Sequence, residues 1–117
     1  MIYLQPHLDG PLYHPIIATL NLGSHTVLNF YDNAAEDRGK VSFSLFLEPR
    51  SLLIQENDIY NSYMHGIEEK SADDIDETLV NLKAGNPFYG KKDLKRGTRV
   101  SLTIRHVIKT AKIKIRL

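Results

Sequence analysis

The chain has 117 residues, 42% of them hydrophobic and 25% charged, with a net charge of +1. That suits one modest globular domain with a core of its own. It holds no cysteine, which excludes disulfides and thiolate metal sites, so any metal must be held by His, Asp, Glu or water.

No apolar run reaches the length of a membrane span, and no charged-then-apolar leader opens the chain. The expectation is a soluble intracellular protein that no membrane contacts. Its charge is uneven. Glu68 to Glu77 holds six acids and one lysine, whereas Lys91 to Leu117 holds ten Lys or Arg and one acid. A basic end attracts a polyanion such as DNA or RNA, or else serves as a solubilising surface tail.

In chain order, Ile16 to Leu22 reads as a strand that ends at Gly23-Ser24. Thr26 to Tyr31 begins another, and the polar stretch Asp32 to Gly39 forms a loop. Val41, Phe43, Leu45 and Leu47 alternate with Ser42, Ser44 and Phe46, the period of a strand. Glu48-Pro49 turns the chain and Ser51 to Gln55 is a further short strand. The spacing predicts one helix near Ile75 to Lys83. Asp74 can cap it, Glu77 completes a capping box, and Ile75, Leu79 and Leu82 share a face before Gly85 and Pro87 stop it. Val100, Leu102 and Ile104 then alternate with Ser101, Thr103 and Arg105 in a late strand. The pattern as a whole is mostly β, a sandwich or barrel of short strands.

His7 and Asp9 stand two residues apart, so on an extended strand they share a face. With a second histidine, one carboxylate and two imidazoles make a facial triad that leaves iron positions open for a co-substrate and dioxygen. His65, after the apolar and aromatic stretch Tyr60 to Met64 and before Gly66, is the preferred third ligand over His14, His25 and His106. The competing reading is a local hydrogen-bonded His7–Asp9 pair. Arg99, Ser101, Thr103 and Arg105 also share a face. A guanidinium fork there can grip a carboxylate with two parallel hydrogen bonds. The competing reading is an edge strand turning its polar side to water.

His7-Leu8-Asp9, then His65, then Arg99 and Arg105 with five residues between, resemble the AlkB family of Fe(II)/2-oxoglutarate dioxygenases. Within that family the chain is similar to the homologue six branch. The matching blocks are Asp9-Gly-Pro-Leu-Tyr13, Leu22-Gly-Ser-His-Thr-Val-Leu28 with Phe30-Tyr31, Leu47-Glu-Pro-Arg-Ser-Leu-Leu53, His65-Gly-Ile67 and Arg96-Gly-Thr-Arg-Val-Ser-Leu-Thr-Ile-Arg105. The resemblance implies a double-stranded β-helix (jelly roll), incomplete at the amino end, with one short helix. It implies that His7, Asp9 and His65 hold Fe(II), and that Arg99 and Ser101 contact 2-oxoglutarate with Arg105 nearby. It implies oxidative demethylation of an N-alkylated nucleic acid or protein, using dioxygen, by proteins described as nuclear and cytoplasmic. The family's Asn-x-Tyr pair has no counterpart before His7.

The chain is therefore expected to be one dioxygenase domain over 1–117, the carboxy-terminal portion of a longer enzyme, with an acidic, helix-bearing surface insertion over 66–97. Such a partial barrel exposes strand edges and is expected to be poorly stable and prone to associate. The alternative to an enzyme is an inactive metal- or 2-oxoglutarate-binding module.

Overall fold

The computed structural model describes residues 4–7, 13–37 and 39–107, and at positions 4, 5, 7, 13–15, 106 and 107 it describes the backbone alone. The strands are β1 (Leu4–His7), β2 (Tyr13–Gly23), β3 (Thr26–Asp32), β4 (Phe43–Leu47), β5 (Ser51–Glu56), β6 (Tyr63–Ile67), β7 (Ala72–Asp73), β8 (Leu94–Lys95) and β9 (Arg99–Val107). Among the described residues one helix, α1 (Asn57–Ser62), lies between β5 and β6. The protein is mainly β, and among the described residues every pairing between these strands is antiparallel.

Two sheets face each other. One runs β1-β6-β3-β4 and the other β5-β2-β9, with β7 and β8 forming a small separate pair. From β1 to β9 the chain changes sheet at each connection between these seven strands except β3 to β4. This arrangement fits a jelly roll, in which successive strands are dealt to opposite layers.

The core between the sheets is built from Leu28, Phe30, Leu47 and Ile67, with Phe43, Leu45, Leu53, Ile59 and Tyr63 packed against it. Phe30 and Phe43 stack with ring centroids 4.7 Å apart. β4 also buries its other face. Phe46 points away from the inter-sheet core into a second cluster with Ile75 and Leu79, flanked by Val27, Leu82, Phe88 and Leu94. Segment 72–95 covers the outside of the four-stranded sheet and so supplies the partners for Phe46.

The predicted helix over Ile75 to Lys83 does not form; that stretch is turns and one isolated bridge, Ser44 to Leu79. Its backbone groups are claimed by distant partners. The Ile75 N–H donates to Lys91 O at 2.8 Å, and the Val80 N–H donates to Ser44 O at 3.1 Å. Asn81 replaces a strand partner for Phe46, accepting from its N–H and donating to its carbonyl, both at 2.8 Å. Asp74 does not cap a helix either; its Oδ1 accepts from the Asp93 N–H at 2.9 Å. These bonds seal the β4 edge, which would otherwise present unpaired backbone to other chains.

The three-stranded sheet has an inverted polarity. Thr19, Asn21, Ser101, Thr103 and Gln55 look inward, while Ile16, Leu52, Ile54, Val100, Leu102 and Ile104 stand exposed on the outside, Ile104 by 68%. A largely aliphatic face of this kind, with Glu56 at one end opposite Ile16, drives association in water. We expect the isolated chain to self-associate with rising concentration in sedimentation velocity, and Leu102→Lys with Ile104→Lys to shift it toward monomer. A monomeric wild type with a sharp, reversible melt would refute this.

Candidate functional site

The inward polar row of the three-stranded sheet follows from register. β2 lies between β5 and β9, so Ile17 pairs with Arg105, Thr19 with Thr103, Asn21 with Ser101 and Gly23 with Arg99. Directly opposed residues share a face, so the alternation read from β9 puts Arg99, Ser101, Thr103 and Arg105 along one wall. With His65 from the opposite sheet they line a cavity of about 230 Å³, whose apolar lining includes Leu28, Leu47 and Ile67. Arg99 is half-buried, whereas Ser101, Thr103 and Arg105 are exposed, so the cavity opens along the β9 edge. The polar face of β9 therefore lines a cavity and its apolar face meets solvent, the reverse of an ordinary surface strand.

His65 is brought to this cavity by β6, and its ring lies 6.2 Å from the Phe30 ring, centroid to centroid. His7 stands directly opposite His65 in the β1–β6 ladder. Its side chain lies outside the described residues, as does all of Asp9. Among the described residues no three His, Asp or Glu side chains gather as a cation site.

Arg99 is fixed at both backbone and side chain. Its approach depends on Gly23, which has φ +76 and whose added Cβ would clash with Thr98 O. The Ser24 N–H donates to Thr98 O at 2.8 Å, and the Gly97 N–H donates to Ser24 Oγ at 2.8 Å. At the side chain, Arg99 Nε donates to Asn21 Oδ1. Burial, and then the charge of Arg96, hold the Arg99 pKa below its ordinary value. Guanidinium pKa values start so high that Arg99 stays charged at neutral pH.

Arg99 and Ile67 also line a second cavity, of about 400 Å³, together with His25, Ser71 and Arg96. Its polar wall is a buried network. Arg96 grips Asp73 with two hydrogen bonds, Nε to Oδ2 at 2.7 Å and Nη2 to Oδ1 at 2.8 Å. His25 Nε2 donates to Asp73 Oδ2 at 2.9 Å. Burial works to raise the Asp73 pKa, but the hydrogen bonds and charges of His25 and Arg96 outweigh it and lower the value to about 2. His25 is thus a core histidine that also packs on Phe46.

Sequence reasoning missed Asn21, Gln55 and Thr19 as site residues. The same parity that selects Arg99 and Ser101 would have found them once β2 and β5 were paired with β9.

No family model matches the chain. Over 114 residues it is 42% identical to a Danio rerio protein described as "Probable RNA/DNA demethylase ALKBH6", an alignment spanning 91% of this chain and 48% of that protein. Over 107 residues it is 36% identical to "Uncharacterized protein L905" of Acanthamoeba polyphaga mimivirus, spanning 91% of this chain and 43% of that protein. The chain spans about half the length of the curated relatives it matches.

Proposed function

We propose that the chain, 42% identical to the Danio rerio protein along 91% of its own length, is AlkB-like and carries the co-substrate and metal half of an Fe(II)/2-oxoglutarate-dependent demethylase. The observation that carries this reading is the cavity between the sheets, where His65 faces a strand bearing Arg99, Ser101 and Arg105. A dicarboxylate needs such a place, with one end at the metal and the other at a fixed cation.

His7, Asp9 and His65 would hold Fe(II), which when bound supplies the activation of dioxygen. Two imidazoles and a carboxylate fit that ion and leave positions free for exogenous ligands. Arg99 holds the far carboxylate of 2-oxoglutarate through its charged fork, and Ser101 supports it with a hydroxyl. Arg105, two pleats away from Thr103's neighbour Ser101, reaches the other end of the cavity. The aliphatic walls from Leu28, Leu47 and Ile67 keep water from the co-substrate's carbon chain. The substrate we propose is an N-alkylated nucleic acid, in keeping with the name of the Danio rerio relative. Its base must leave the stack or come from a single strand to reach such a cavity.

The deciding experiment is Fe(II)-dependent conversion of 2-oxoglutarate to succinate by this chain beside His7→Ala. Turnover abolished by the substitution supports the reading. If a folded chain binds no Fe(II), the ligand assignment falls. One observation favours a second reading: the relatives are about twice as long. The chain by itself would then bind Fe(II) and 2-oxoglutarate without turnover, as a binding module.

The basic end over 109–116 lies outside the described residues, and we propose that it touches phosphates. Neutralising Lys112, Lys114 and Arg116 is then expected to lower the salt slope of single-strand binding by roughly 2, since each phosphate contact contributes about 0.7. An unchanged affinity and slope would remove the nucleic-acid role of this end.

A further inference from the structure

We infer that Asn21 is the positioning residue for Arg99. It holds the guanidinium by Nε alone, so that the terminal edge is presented to the cavity with its charge unspent. This rests on the reading above for what Arg99 grips, but not for how Arg99 is held.

Asn21 is only 1% exposed, a buried amide on the inward face of β2, opposite Ser101 and behind the cavity wall. Its Nδ2 donates to Glu48 O at 2.8 Å, Ser24 O at 3.2 Å and Leu47 O at 3.3 Å. These carbonyls belong to the two corners where the chain passes between the sheets, β2 to β3 and β4 to β5. Carbonyls only accept and a guanidinium only donates. The amide therefore has one workable orientation, NH₂ toward the corners and Oδ1 toward Arg99 Nε. The side chain of Arg99 is flexible, and its fixed direction is thus inherited from two backbone corners through one amide.

The chemistry of the choice is specific. A carboxylate at position 21 would also accept from Nε, but it would pair with the guanidinium and compete with an incoming anion. A neutral amide orients the cation and leaves its charge for the ligand. Among the described residues the Arg99 Nη groups have no hydrogen-bond partner, in contrast to Arg96, whose Nε, Nη1 and Nη2 are all engaged by Asp73 and Glu68. Of the two neighbouring guanidiniums, one is consumed by the fold and the other is kept for a ligand.

The test reads the Arg99 Nε–H directly in the ¹⁵N spectrum of the wild-type chain, assigned with Arg99→Lys. A resonance that exchanges slowly with solvent in the wild type and fast in Asn21→Ala is expected. An Arg99 Nε–H that already exchanges as fast as that of Arg50 overturns the proposal without any variant. The second arm compares 2-oxoglutarate with 2-oxobutyrate, which lacks the far carboxylate. Asn21→Ala is expected to weaken 2-oxoglutarate roughly 10- to 100-fold, the cost of one hydrogen bond to a charged group, and to leave 2-oxobutyrate unchanged. Equal losses on both ligands would mean that Asn21 serves only the fold, and would overturn it. If the wild type binds no 2-oxoglutarate at all, the co-substrate reading fails, while the Nε–H exchange still decides the role of Asn21.

Discussion

Asp73→Ala is expected to lower unfolding free energy by about 3–5 kcal/mol, the range for removing one partner from a buried ion pair. Asp73 is 4% exposed and receives hydrogen bonds from both His25 and Arg96. Its removal leaves a buried guanidinium facing an imidazole with no anion between them. The consequence spreads, because Asp73 joins β7 to the His25 corner, and His25 in turn packs on Phe46 of the second core. Asp73→Asn keeps the shape and one acceptor and should lose less.

The pH dependence has a definite sign. The folded pKa, about 2, lies below the ordinary carboxylate value, so the charged form is favoured by folding. The contribution is fully present above about pH 5, and is lost as pH falls through 4 toward 2. The shift corresponds to about 2 kcal/mol. Urea unfolding of wild type and Asp73→Asn should therefore show a stability gap at about pH 3 that is roughly half the gap at neutral pH, because the folded carboxylate is still mostly charged there while the unfolded one is not. A parallel pair of curves, or an Asp73→Ala variant as stable as wild type, would show that the network adds nothing to the fold.

Arg99→Ala is expected to weaken 2-oxoglutarate binding by roughly 100-fold, the equivalent of about 3 kcal/mol for two charge-assisted hydrogen bonds. Arg99→Lys keeps a charge but loses the planar fork, and should fall between the two. Calorimetric titration under anaerobic conditions with Fe(II) measures this without needing turnover. Fe(II) affinity should not change in either variant, because the ligands we propose, His7, Asp9 and His65, are untouched. Undiminished 2-oxoglutarate affinity in Arg99→Ala would exclude it as the anchor. A parallel loss of Fe(II) affinity would instead point to a collapsed cavity.

The strands β4 and β9 were legible because an alternation of period two is written directly into the residue order, and β2, β3 and β5 because turn residues such as Gly23-Ser24 and Glu48-Pro49 bound short stretches rich in apolar residues. The grouping of Arg99, Ser101 and Arg105 on one face was legible for the same reason. Periodicity tells which residues share a face and not which way that face looks. Only the pairing of β9 with β2 turns Arg99 inward beside Asn21, and leaves Val100, Leu102 and Ile104 in solvent. Phe46 shows the same limit. It reads as a polar-phase intruder in β4 until segment 72–95 arrives to bury it.

The local signals over 74–83 favoured a helix, yet helical hydrogen bonds there had to compete with Ser44, Phe46 and Lys91, which lie far off in sequence. Those partners also bring apolar burial at Ile75 and Leu79, and burial outweighs a capping preference of about 1 kcal/mol. The six residues of α1 lack strong helix formers and carried no comparable signal. Likewise, nothing in the order of residues separates His25 from the other histidines. Its role is set by Asp73, 48 positions away, and by Arg96 beyond it. What the amino-acid order determined by itself was the set of strands and the chemistry on each face. Tertiary structure decided which faces meet, because only the closed pair of sheets brings the groups of distant strands within hydrogen-bonding reach.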